Sequence, residues 1–116
     1  MNKQIKKRIL LQSIKSSSKK EGYCKYYKNN TKLHENTKWK IFTYLKDLGY
    51  DVYSECEFVT GGRADIIAIQ DSKGFIIELL NSETESQFVD KLNKYPLLFE
   101  VIRIDCKTFK ISEFEI

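Results

Sequence analysis

Two apolar runs, RADIIAIQ at residues 63–70 and GFIIELL at residues 74–80, meet through Asp71-Ser72-Lys73-Gly74. Turn residues between two runs rich in isoleucine are a hairpin signature, so these segments read as adjacent antiparallel strands. A hairpin centred between Asp71 and Ser72 opposes residues whose numbers have a constant sum, which sets Asp65 against Glu78 and Arg63 against Leu80. Direct cross-strand neighbours share a face with Cβ atoms about 4.5 to 5.5 Å apart. Two carboxylates that close repel, and a buried unpaired acid is costly or shifts its pKa. The pair therefore suggests a divalent metal between the two; the alternative pairs Asp65 with Arg63 and lets Glu78 cap the next helix, with no metal at all.

The rest of the chain supplies elements around this hairpin. Residues 51–58 (DVYSECEF) alternate as a strand, and LFEVIRID at 98–105 reads as another. Between 31 and 48, Trp39, Phe42, Leu45 and Leu48 recur at helical steps beside Ile41, and Gly49 follows as a stop. Tracing that face back toward the N-terminus lands on Glu35, and Trp39 and the stripe read as core. His34, alone beside it, reads as a surface or cap residue. Ser82 and Glu85 in SETE form a capping box that starts a second helix, running through Phe88, Leu92 and Tyr95 to Pro96. TFKISEFEI closes the chain as a strand or short tail. Gly61 and Gly62 serve the turn between the first two strands; no helix follows them to hold a phosphate. The order is helix, three-strand meander, helix, strand, and the helical crossover favours a parallel last strand. The fold class is α/β, a small mixed sheet flanked by helices.

Ahead of this lies a basic segment. Residues 1–40 carry 12 Lys or Arg against 2 acids, whereas residues 41–116 carry 8 against 14, so the two parts face different partners. Residues 3–15 (KQIKKRILLQSIK) form a short amphipathic helix, with Ile5, Ile9 and Leu10 at helical spacing and Leu11 and Ile14 beside them. SSSKKEGYCKYYKNN follows as a loop, extended arm or weak hairpin. Residues 1–30 are thus a basic helix and arm, and residues 31–116 an α/β domain. Lys3, Lys6, Lys7, Arg8, Lys19, Lys20, Lys25 and Lys28 can neutralise phosphates, and Tyr23, Tyr26 and Tyr27 among them can stack on bases. A solvated face that keeps the protein soluble is the alternative.

At 116 residues there is one domain's worth of chain. Cys24, Cys56 and Cys106 are odd in number, widely spaced and joined by a single histidine, which argues against a disulfide framework and against structural zinc. A reducing, cytoplasmic setting is the simplest reading. No signal peptide and no run of 18 apolar residues is visible, so no membrane is expected.

A helix bearing Glu35, a hairpin with Asp65 on one strand and Glu78-Leu79-Leu80 on the next, then a helix and a strand, resembles the PD-(D/E)XK nuclease superfamily over residues 33–105. That superfamily includes restriction enzymes and archaeal Holliday junction resolvases. The resemblance implies a restriction endonuclease-like core and a Mg²⁺ (or Mn²⁺) site. In it Asp65 and Glu78 bind the metal, the Leu79 carbonyl completes the site, and Glu35 is the helix acid. GRAD, residues 62–65, stands where the family has Pro-Asp. The motif lysine, which positions and activates the attacking water, is replaced by Leu80. Its role can fall to Arg63, which opposes residue 80, or less directly to Lys91. Glu83 or Glu85 can instead hold a second metal. The remaining alternative is a degraded nuclease-like module that binds nucleic acid or a protein without cleaving. The implied activity is metal-dependent phosphodiester hydrolysis of duplex or branched DNA by a homodimer, with no small-molecule cofactor.

Overall fold

The computed structural model describes residues 2–81 and 83–116. Helix α1 spans Lys3–Gln12 and helix α2 Lys32–Asp47, followed by strands β1 (Asp51–Glu57), β2 (Arg63–Gln70) and β3 (Lys73–Leu80). Helix α3 (Glu85–Leu92) leads to strand β4 (Glu100–Asp105). The four strands form one mixed sheet in the order β1-β2-β3-β4: the first three are antiparallel, and β3 and β4 are parallel across the α3 connection. The result is a small α/β fold with helices on both faces. Among the described residues no helix is long and apolar enough to cross a membrane.

Local chemistry places the elements. Asn2, Thr31 and Thr84 cap the three helices with side-chain oxygens that accept backbone N–H groups of the first turn. The capping box of α3 is Thr84 with Gln87, two residues beyond the expected Ser82 and Glu85; Ser82 itself lies outside the described residues. Gly49 ends α2 with a φ of 88°, a left-handed conformation that costs glycine nothing. The β2–β3 hairpin turns at Asp71, also left-handed at φ 55°, and its ladder from Gln70↔Lys73 to Ile66↔Ile77 keeps the expected register. The chain ends in a single 3-10 turn at Ile111–Glu113, with no further strand.

The sheet buries two apolar faces. Ile41, Phe42 and Leu45 of α2 pack against Val52, Ile66, Ile77 and Leu79 on one. Leu10 and Ile14 pack against Tyr53, Cys56, Ile67, Ile76, Tyr95 and Phe99 on the other. Helix α1 thus shares the sheet's core, although through Leu10, with Ile14 just beyond its end, while Ile5 and Ile9 stay largely in solvent. Trp39 and Leu48, expected inside, are also exposed. The buried line of α2 runs instead through His34, Thr37, Lys38, Ile41, Phe42 and Leu45.

Residues 13–30 follow the outer edge of β1. Ser18 Oγ accepts the Glu57 N–H, Glu21 accepts the Val52 N–H, Gly22 N–H donates to the Val52 carbonyl, and Lys25 N–H donates to Ser54 Oγ. The arm therefore caps the free edge of the sheet, an edge that would otherwise recruit another strand.

Candidate active site

Strand alternation slips at one level of the sheet. Val52 and Cys56 belong to opposite core faces although they are four residues apart, and so do Ala64 and Ile66, two apart. Between them stand Glu55, with a φ of 46°, and Asp65; the register on either side, Ser54↔Ile66 and Cys56↔Ala64, is unbroken. A glutamate held in the left-handed region is strained, and such strain concentrates at sites where a side chain must be aimed. Both acids are thereby turned out of the regular pleat.

Asp65 and Glu78 meet where β2 and β3 stop pairing. The expected direct cross-strand pair is replaced by an interlock: the Asp65 N–H donates to Glu78 Oε1 at 3.4 Å, and the Leu79 N–H donates to Asp65 Oδ2 at 2.8 Å. Asp65 Oδ1 lies 3.4 Å from His34 Nε2 of α2. Glu78, 0% exposed, also accepts from the Tyr95 hydroxyl at 2.6 Å, and its Oε2 lies 3.4 Å from Lys91 Nζ of α3. Burial, then the charge of Asp65, pushes the Glu78 carboxyl up to about 7. Burial pulls the Lys91 ammonium down, but Glu83 and Glu78 outweigh it, so the group stays charged. His34 behaves likewise: burial lowers its pKa, and the bond to Asp65 together with the charges of Asp65, Glu55 and Glu35 more than offsets this. A cavity of about 220 Å³ opens on Asp65, and Arg63, Lys91 and Lys94 stand around it with Tyr95. Asp65 is the one acid lining the cavity, with three basic residues around it, and Glu78 lies buried behind.

A second cluster adjoins the first. Lys38, 1% exposed, donates through Nζ to Glu35, to Glu55 and to the Lys25 carbonyl, the last at 2.5 Å. Asn30 bridges the same two glutamates. His34, Glu35 and Glu55 place ligand atoms within 4.8 Å of one another, the one such metal-sized group among the described residues. The Lys38 ammonium already lies on both glutamates and the Arg63 guanidinium on Glu55, so two cations balance the two acids without a metal. Asp65 and Glu78 offer oxygen donors only, which suits a hard divalent cation. Their mutual repulsion, visible in the raised Glu78 carboxyl, is what such a cation relieves.

The other residues singled out in the sequence fall in three places. Glu35 reaches the Lys38 cluster, adjacent to Asp65 through His34 but not bonded to it. Arg63 rims the cavity, with its guanidinium 3.5 Å from Glu55 and stacked on Tyr27. Lys91, given the lesser weight, is the cation that touches Glu78. Glu83 holds Lys91, while Glu85 pairs with Arg103 on the surface. The basic residues do not form one stripe: Lys3, Lys6, Lys7 and Arg8 ride on α1, with Lys7 tied to Asp51, Lys19, Lys20 and Lys28 stand on the arm, and Lys25 lies by α2. His34, Lys38, Glu55 and Tyr95 were missed as site residues. Only Lys38 left a trace, at three residues from Glu35 on a helix. The cysteines are free, and burial raises each thiol, Cys56 to about 12, which removes thiolate chemistry. Comparison with known proteins returns no match among family models, curated proteins or solved structures.

Proposed function

We propose that the chain is a metal-dependent nuclease of the restriction endonuclease-like type, acting on DNA at Asp65 and Glu78, with Lys91 in the role of the absent motif lysine. The observation that carries the reading is the interlocked acid pair at a gap between strands, opening on a cavity rimmed by Arg63, Lys91 and Lys94. The order α2, β1 to β3, α3, β4, with a parallel final pair, supports the same reading.

Asp65 and Glu78 would hold the metal, which supplies Lewis-acid stabilisation and a more acidic water. Tyr95 and the Asp65 amide fix the Glu78 carboxylate, and His34 with the Leu79 amide fixes Asp65, so neither ligand must be ordered when substrate arrives. Lys91 stays protonated between Glu78 and Glu83 and brings its charge to the side of the phosphate where negative charge develops. Arg63 and Lys94 anchor the same phosphate at the rim. Cutting both strands of a duplex takes a second copy of the chain.

A non-cleaving nucleic-acid module is the second reading, favoured by Leu80 at the lysine's position. Supercoiled, linear and branched DNA, incubated with Mg²⁺ or Mn²⁺, separate the two. Cleavage by the wild type, lost with EDTA and in Asp65→Ala, is the expected result. Intact DNA in every form, with binding retained, selects the module.

A further inference from the structure

On the other side of the Lys38 cluster, the outward face of α2 carries Lys32, Asn36, Trp39 and Lys40, all exposed. Trp39 is 57% exposed on a helix whose opposite side buries Ile41, Phe42 and Leu45, so it does no packing work for the core. The arm presents Tyr26, 77% exposed, to the same groove. The groove has a volume of about 380 Å³ and is lined by Tyr26 and Trp39 together with Cys24, Lys25, Lys32 and Asn36.

Its frame is rigid on both sides of Tyr26. The Lys25 carbonyl takes the buried Lys38 ammonium, the Lys25 N–H is held by Ser54, and the Tyr27 N–H donates to Glu35. Glu35, the acid at the groove floor, is neutralised by Lys38. Lys25, Lys28, Lys32 and Lys40 form no ion pair among the described residues, which leaves the groove's surroundings net positive. Two exposed aromatic rings on a fixed frame, among free cations, match what a single nucleic-acid strand needs: π faces for its bases and charge for its phosphates.

We propose that this groove binds unpaired nucleobases of a DNA single strand, stacked on Trp39 and Tyr26, with Lys25 and Lys32 taking the flanking phosphates. This rests on the nuclease reading and narrows it: the substrate carries a single-stranded segment beside its duplex. The two sites adjoin at two points of the chain. Tyr26 lines the groove while the next residue, Tyr27, carries Arg63 of the Asp65 cavity; Glu35 lines the groove while the preceding residue, His34, contacts Asp65.

Trp39 is the chain's single tryptophan, so its fluorescence reports this groove alone. The full chain is titrated in EDTA with short oligothymidylate, with an abasic oligomer of equal length, with a blunt duplex and with polyglutamate. Saturable quenching by oligothymidylate is expected, with the abasic oligomer and the duplex at least roughly tenfold weaker and no response to polyglutamate. Tyr26→Ala and Trp39→Ala, followed by anisotropy of a labelled oligomer, should each weaken binding roughly 10- to 100-fold. Both side chains are exposed, and an unchanged unfolding midpoint verifies that the variants fold. Equal binding of abasic and base-bearing oligomers, tighter binding of the duplex or polyglutamate, or unaltered affinity in both variants overturns the proposal. Because the titration contains no metal and no cleavage step, quenching without nuclease activity would remove the nuclease reading alone, and cleavage without base-dependent binding would remove this one alone.

Discussion

The Lys91 ammonium stands 3.4 Å from Glu78 Oε2, although the two residues are 13 apart in the chain and on different elements. The parallel crossover brings them together: β3 carries Glu78 into the buried centre of the sheet, and α3 returns over its end with Lys91 facing inward beside Phe88. On the nuclease reading proposed above, Lys91 is the helix-borne cation that takes the part of the lysine replaced by Leu80.

The Glu78 carboxyl makes stability depend on pH. Its folded-state pKa, about 7, lies above the ordinary value of 4.5, so the folded protein holds the proton more tightly than the unfolded chain does. Stability is therefore greatest below about pH 4.5 as far as this group is concerned, and falls as pH rises through 7, by up to about 3 kcal/mol. Urea unfolding at pH 5 and pH 8 should show the wild-type midpoint falling, and Glu78→Gln should flatten the difference. Mg²⁺ added at pH 8 should restore part of the loss in the wild type and none in the variant. Equal slopes in the two proteins would contradict this account of Glu78.

Lys38 binds two glutamates where almost no water reaches. Lys38→Met removes the cation that Glu35 and Glu55 share and leaves Asn30 between them, with Arg63 beside Glu55 alone, and a buried pair broken in this way costs about 3 to 5 kcal/mol. Adding Glu55→Gln to that variant removes one of the stranded charges and should recover a measurable part. Denaturant midpoints of the three proteins check this, and a Lys38→Met midpoint equal to the wild type's would refute it.

Leu10 belongs to the sheet's core, whereas Ile5, five residues earlier on α1, lies in solvent. Leu10→Ala should cost about 2 to 5 kcal/mol by opening a cavity under the sheet, and Ile5→Ala less than about 1. Thermal or chemical unfolding of the two variants distinguishes a helix that is part of the fold from one that merely trails it.

Much of the fold was legible because it rests on local signals. The β2–β3 register followed from the turn at Asp71-Ser72, and α2 from its apolar period and Gly49. What escaped depends on packing that no local pattern encodes. Trp39, Phe42 and Leu45 share a three-residue spacing, yet the buried stripe of α2 passes through Lys38 and Ile41 and leaves Trp39 outside. The slip in alternation at Glu55 and Asp65 breaks the period-two rule within both strands at once, and it alone decides where the Asp65 carboxylate is aimed. Asp65 and Glu78 could be paired by counting; their partners Tyr95, His34 and Lys91 could not, since each arrives from a helix or loop whose docking the sequence does not number.

The most direct measurement for the acid pair and its helix-borne lysine is single-turnover cleavage of a branched DNA duplex with Mn²⁺, comparing the wild type with Lys91→Met, Arg63→Ala and Asp65→Asn. The account predicts cleavage by the wild type, none by Asp65→Asn, and a rate about 10² to 10⁴ lower in Lys91→Met, with Arg63→Ala affecting binding more than the rate of the bound complex. Lys91→Met cleaving at the wild-type rate, or Arg63→Ala abolishing the chemical step while Lys91→Met does not, would contradict it.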